Sequence, residues 1–257
     1  MQLECVINVS EGRRADVVAH VAGAAGAVCL DVHSDAHHNR SVITLAGDAG
    51  EVEDGARAVA RETVARIDIT RHQGVHPYRG ALDVVPFVPW IGATMDDAID
   101  ARDRFAEWAV EELDIHCLLY GPEMTLPELR RIAPIGTTAV GARPVLVAYN
   151  VWLTTGDVAV AKRIAQELRE PSTLRTLGLQ VGDQAQVSCN LIAPLTLGPA
   201  AVFDAVAARA EVARAELVGL VPQAVLAAVP TERWTQLDLA PSRTLEARLG
   251  EVQAGPG

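Results

Sequence analysis

The strongest constraint in this sequence is a pattern of elements that occurs twice. Residues 3–8 read as a strand, 15–25 as a helix, 27–32 and 41–46 as strands, 51–67 as a helix and 82–90 as a buried strand. Residues 145–153, 157–169, 177–181, 185–192, 199–214 and 216–222 then run through the same order. The apolar positions Val52, Ala56, Val59, Ala60, Val64 and Ile67 follow the helical period, and the strand segments are short apolar runs closed by Pro, Gly or Asn. Each string is β-α-β-β-α-β, the ferredoxin-like split unit. The expected fold class is therefore α/β (α+β), built from two small copies of one unit. A long amphipathic helix over 95–113 and a strand over 115–120 extend the first copy. A further helix is expected over 243–250. The expected domains are 1–141 and 142–250, with a flexible tail over 251–257.

The two copies differ in one place. In the second, the helix runs almost directly into the last strand. In the first, residues 68–80 are inserted between them, and an insertion in one copy of a repeat is where function is sought. It reads Arg71-His72-Gln73-Gly74-Val75-His76-Pro77-Tyr78-Arg79-Gly80 and holds two of the seven histidines. Gly74 and Pro77 oppose a helix here. Histidine can take and give protons near neutral pH, and arginine can fix a carboxylate through two hydrogen bonds. The segment suits acid–base work on an anionic substrate; the competing reading is a solvated polar loop.

A second polar cluster runs from Asp31 to Ser41 and includes His33, Asp35, His37, His38, Asn39 and Arg40. The spacings His33–His37 and His72–His76 raise a metal site. Neither stretch reads as a helix that would put both rings on one face, and no metalloprotease-type glutamate is present. No metal is expected. Gln186, Ser188 and Asn190 alternate along one strand, as either one wall of a groove or a solvated sheet face.

Composition narrows the class. Of 257 residues 49% are hydrophobic but only 4% aromatic, so Ala, Val and Leu must fill the cores. The formal net charge of -11 argues against nucleic acid as a partner, since phosphate binding needs a basic surface. Lys162 is the only lysine, so the positive charge is essentially all arginine. Cys5, Cys29, Cys117 and Cys189 are widely spaced and read as free thiols. No apolar run is long enough to cross a membrane, and residues 1–5 lack the features of a signal peptide. A cytoplasmic location is expected.

Several segments together resemble the formiminotransferase family. They are Glu4-Cys5-Val6-Ile7-Asn8-Val9-Ser10-Glu11-Gly12-Arg13, Asp31 through Ser41-Val42, Arg71 through Pro77, and Gly80 through Pro89. Leu119-Tyr120-Gly121, Val140 through Arg143, Ala185 through Ser188 with Asn190-Leu191, and Leu217 through Pro222 follow in the same order. The resemblance implies two ferredoxin-like βαββαβ subdomains forming an α/β sandwich with a substrate groove between them, commonly in a homodimer. It implies transfer of a formimino (or formyl) group between glutamate or a similar amino acid and tetrahydrofolate, a co-substrate, with His76 as the general acid/base. Such a residue works as base and then acid, which calls for a pKa near 7. The substrate-binding set it implies is Asn8, Asp35, Asn39, Arg40, Arg71, His72, Arg79, Gly80, Asp83, Gln186 and Asn190.

The chain departs from the family pattern in three places. Pro77-Tyr78-Arg79 replaces the usual His-Pro-Arg, which shifts the arginine by one position. His37 and His38 stand together. Between Arg131 and Val140 the chain lacks a longer segment that includes a Phe-Gly-Pro loop contacting folate. The alternatives are therefore a divergent paralogue acting on a different small amine or carboxylate without folate, and a non-catalytic binding relative.

Overall fold

In a computed structural model, which describes residues 1–254, the chain divides into two compact units. One is Met1–Pro144 and the other begins at Val145. The first contains β1 (Gln2–Val9), α1 (Ala15–Gly23), β2 (Cys29–Asp35), β3 (Arg40–Asp48), α2 (Ala49–Arg66), β4 (Leu82–Pro89), α3 (Met95–Leu113), β5 (His116–Tyr120), α4 (Leu126–Ile132) and β6 (Thr137–Ala142). These strands form one six-stranded sheet ordered β2-β3-β1-β4-β6-β5. The pairs β2–β3, β3–β1 and β1–β4 are antiparallel, while β4–β6 and β6–β5 are parallel.

Alternation along β1 explains why this sheet has a core side. Leu3, Cys5, Ile7 and Val9 are fully buried against α1, α2 and α3, and Glu4, Val6 and Asn8 point to the other face. On α2, Val52, Ala56, Val59, Ala60 and Thr63 form the stripe that covers them. Asp48 caps this helix by accepting a hydrogen bond from Gly50 N, and a Thr94–Asp97 capping box starts α3. The scarcity of aromatics is met by close-packed alanines on α3 (Ala98, Ala101, Ala106, Ala109) around Phe105, which stands 5.8 Å from the Phe87 ring.

Part of the opposite face is covered by α4. Leu129 and Ala133 of and just beyond α4 pack on Val84, Tyr120 and Ala139. Both α4 and β6 are absent from the sequence reading, so the first sheet is wider than four strands and the simple βαββαβ string is incomplete for this unit. The signal for α4 was present, however. Thr125 and Glu128 form a reciprocal capping box with Pro127 in the first turn.

The second unit contains β7 (Val147–Leu153), α5 (Val158–Leu168), β8 (Leu174–Val181), β9 (Gln184–Leu191), α6 (Pro199–Ala207), β10 (Val212–Val218), α7 (Gln223–Ala227) and α8 (Leu245–Ala254). Its sheet runs β10-β7-β9-β8, antiparallel throughout. Gly182, at φ 61°, turns β8 into β9. Tyr149, fully buried on the central strand, donates its hydroxyl to Leu237 O at 2.9 Å.

Two element bounds differ from expectation. The helix expected over 199–214 stops at Ala207, and the strand expected over 216–222 starts earlier, at Val212. The tail expected from 251 is helical through Ala254, with the remaining residues of that segment outside the described ones. Strand β6 extends through Ala142, so the division between units falls after Pro144.

Replacing Phe105 by Ala is expected to cost about 3–5 kcal/mol, because the small alanines around it cannot close the cavity. Urea denaturation of the purified variant measures this.

Candidate functional site

The repeat locates the site. β1 lies between β3 and β4, and β7 lies between β9 and β10 in the same way. The chain needs only four residues to pass from α6 to β10, but fifteen from α2 to β4. The longer connection crosses the first unit near the face that carries Asn8.

A β-bulge prepares this face. Asn8 pairs with Val84 and Val9 with Leu82, which leaves Asp83 as an extra residue in β4. The bulge breaks the alternation. Leu82 and Val85 join the helix-side core, Val84 packs under α4, and the Asp83 carboxylate is aimed at the same side as Asn8. Asp83 is 1% exposed. Its Oδ2 accepts from Arg40 Nη1 at 2.7 Å and from Arg130 Nη2 at 2.6 Å, and its Oδ1 accepts from Arg79 N at 2.6 Å. Arg40 also donates through Nε to Asn8 Oδ1 at 3.1 Å. Burial pushes the Asp83 carboxyl up, but the two guanidiniums and these hydrogen bonds outweigh it and hold it below the usual carboxylate range.

His76 sits half-buried beside this group. Its Nδ1 lies 2.8 Å from Pro77 O. A carbonyl oxygen can only accept, so Nδ1 carries the proton and Nε2 the lone pair. Its ring meets the His38 ring edge-on at 5.8 Å. Desolvation, with the positive charges of Arg40 and Arg130 next, holds its pKa well below the ordinary value. The imidazole is therefore neutral at pH 7, where a poise near 7 was expected for a base-then-acid residue.

The remaining residues of the segment shape the loop. His72 donates from Nδ1 to Ser10 O at 3.0 Å and stacks edge-on with Tyr78 at 4.2 Å; burial lowers its pKa. Asn39, at φ 48°, accepts from Gly12 N at 3.0 Å and donates to Gln73 O at 3.2 Å, so it ties the β2–β3 turn to two loops. Asp35 Oδ1 accepts from His37 N and His38 N at 2.7 Å each and holds that turn closed. Glycine is required at 74 and 80: a Cβ would stand 2.2 Å from His38 O in the first case and 2.5 Å from Thr137 O in the second.

The structure thus gathers Asn8, Asp35, Asn39, Arg40, His72, His76, Arg79, Gly80 and Asp83 around one end of the first sheet. Arg71 is outside this group. It is 87% exposed and pairs with Asp68 at 3.4 Å. Gln186 and Asn190 belong to the second unit, where Gln186 is fully buried opposite Trp152 and Asn190 is exposed. Arg79, expected to bind substrate, spends Nη1 on Tyr78 O and Nη2 on Arg130 O. Sequence reading missed Arg130, which lies 47 positions from Asp83 on the helix it did not identify. Among the described residues no three His, Cys, Asp or Glu side chains converge as a metal-ligand set.

The Asp83→Asn variant leaves Arg40 and Arg130 facing each other without a counter-charge, at an expected cost of about 3–5 kcal/mol near neutral pH. The folded pKa of Asp83 is depressed, so its contribution is present above the unfolded value of about 3.9 and is lost as pH falls through the folded one. Denaturation midpoints of wild type and variant are expected to converge below that pH.

Comparison with known proteins gives the family of the chain. The description "Formiminotransferase domain, N-terminal subdomain" matches residues 2–143. A glutamate formimidoyltransferase of Streptococcus pyogenes serotype M1 is 33% identical over 230 residues, covering 74% of this chain and 77% of its own. One from Thermoplasma acidophilum is 31% identical over 272 residues, covering 87% and 89%. The formimidoyltransferase-cyclodeaminase of Sus scrofa is 34% identical over 272 residues, 86% of this chain, and the match spans half of that longer protein. With the first unit matched from end to end and relatives aligned along most of its length, the chain belongs to the formiminotransferase family.

Proposed function

We propose that the protein is a folate-linked one-carbon transferase that moves a formimino or formyl group between glutamate, or a similar amino acid, and tetrahydrofolate. One observation carries this reading. A neutral imidazole with a free Nε2 lone pair stands among the guanidiniums of Arg40 and Arg130, in a chain whose overall charge is strongly negative. The relatives' names, glutamate formimidoyltransferase and formimidoyltransferase-cyclodeaminase, support the same chemistry.

In this mechanism the positive field of Arg40 and Arg130 draws the substrate carboxylates toward His76. The attacking folate nitrogen forms a bond to the one-carbon centre and gives its proton to His76 Nε2. His76 returns that proton to the amino-acid nitrogen as the old carbon–nitrogen bond breaks. Its lowered pKa keeps the proton-accepting form populated and makes the imidazolium a ready donor to the departing amine. An arriving carboxylate offsets the positive field of Arg40 and Arg130, raises the imidazole pKa and so strengthens it as the base that takes the folate proton. The ferredoxin-like description of each unit belongs to the same proposal. It is supported by the β2-β3-β1-β4 and β8-β9-β7-β10 orders, which are equivalent and antiparallel.

The alternative, a paralogue with a different amine or carboxylate substrate and no folate, is favoured by one observation. The alignment with the Sus scrofa protein extends over 272 residues but uses 86% of this chain, so about fifty of its positions have no counterpart here.

His76→Ala is expected to lower kcat/KM for transfer from formimino-glutamate to tetrahydrofolate by about 10²–10⁴-fold with the fold intact. Full retained activity would remove His76 from the reaction. The base form must be neutral, so activity is expected to fall with acid along a limb below the ordinary histidine pKa of about 6.5. A thermal shift with amino-acid substrates but none with reduced folates would favour the alternative.

A further inference from the structure

We propose that Arg130 is a positioning residue for His76: by holding the Pro77 carbonyl it fixes the imidazole as the Nδ1–H tautomer and leaves Nε2 as the atom that exchanges protons. The proposal rests on the reading of His76 as the proton carrier, and concerns which ring nitrogen acts and what sets it.

The geometry is a chain of contacts that ends on the imidazole. Asp83 Oδ2 takes Arg130 Nη2 at 2.6 Å, which aims the guanidinium from α4 across the loop. Arg130 Nη1 then donates to Pro77 O at 3.2 Å, the same oxygen that receives His76 Nδ1–H at 2.8 Å. The arrangement is braced from the other side. Arg79 Nη2 donates back to Arg130 O at 2.9 Å, and Gly136 N donates to Arg79 O at 2.6 Å. The loop and α4 are thereby joined through main-chain groups on both partners. Without such an anchor the Pro77 peptide is free to turn, and the imidazole loses the acceptor that selects its tautomer. Four charged or titratable groups face His76. They are Arg40 from β3, Arg130 from α4, His38 from the β2–β3 turn and Asp83 from β4. Arg130 therefore contributes both a fixed hydrogen bond and a positive charge, and these two effects can be separated. Glutamine removes both. Lysine keeps the charge but lacks the planar fork that reaches two acceptors at once.

The test is long-range ¹H–¹⁵N correlation spectroscopy of the ¹⁵N-labelled full chain at a series of pH values, with His76 assigned by comparison with His76→Gln. Wild type is expected to show His76 as Nδ1–H with unprotonated Nε2. In Arg130→Gln the tautomer ratio moves toward Nε2–H and the His76 midpoint rises by about one pH unit, since a nearby like charge has gone. In Arg130→Lys the midpoint stays near the wild-type value while the tautomers mix. Should the glutamine variant fail to fold, the lysine variant alone decides. A wild-type His76 protonated on Nε2, or an Nδ1–H ring unchanged in every variant that folds, overturns the proposal. Because this readout needs no turnover, loss of the transferase reading with the tautomer pattern intact would leave the role of Arg130 standing.

Discussion

The buried carboxylate of Asp83 is the interaction on which the candidate site depends. Two guanidiniums brought to one place repel each other, and withdrawing them from water costs several kcal/mol per charge unless a counter-charge is present. Asp83 supplies that charge from a position only 1% exposed, and it is there because β4 carries one residue too many for its register with β1. A regular strand would have alternated this side chain toward Ile7 and Val9. The bulge therefore turns a backbone irregularity into an electrostatic one. A single negative charge holds Arg40 and Arg130, and burial, with their positive charge next, keeps the nearby imidazole neutral.

Much of the fold was legible because its signals are local. Alternating burial along most of β1, the 3.6-residue stripe on α2 and the caps of α2 and α3 are all properties of short windows. The two omissions are elements whose windows are weak. Helix α4 has seven residues, and β6 is Thr-Thr-Ala-Val-Gly-Ala, with small side chains and little apolar pattern. Strand β6 is buried along its whole length by parallel pairing between β4 and β5, and such pairing comes from tertiary context rather than from its own residues.

The site was legible to the same degree and for the same reason. His76 and Arg40 stood out because histidine and arginine are dense in two short segments. Arg71 stood out equally, but one turn of 3-10 helix directs it to Asp68 and solvent. Adjacency in sequence put it beside His72 without putting it in the cluster. Arg130 carried no such signal. Its importance comes from distance, since α4 packs through Leu129 onto Val84, the neighbour of Asp83, and this contact delivers the next side chain to the carboxylate.

The repeat also sets one position in opposite electrostatic surroundings in the two units. Asn8 and Asn150 occupy equivalent places on the central strands β1 and β7, each on the face away from the covering helices. Asn8 uses its carbonyl to accept from Arg40, whereas Asn150 uses its amide to donate to Glu216 at 3.1 Å, beside Trp152 Nε1 on the same oxygen at 2.8 Å. An amide side chain can serve either sign of partner. The same position on the same kind of sheet therefore supports a cationic group in the first unit and an anionic one in the second. What separates the two is the charge on the neighbouring strand: Arg40 on β3 in one, Glu216 on β10 in the other. The inserted loop between α2 and β4 completes the difference. It supplies His76 only where the cationic version of the face already exists, and a neutral proton acceptor among guanidiniums requires that pairing of loop and face.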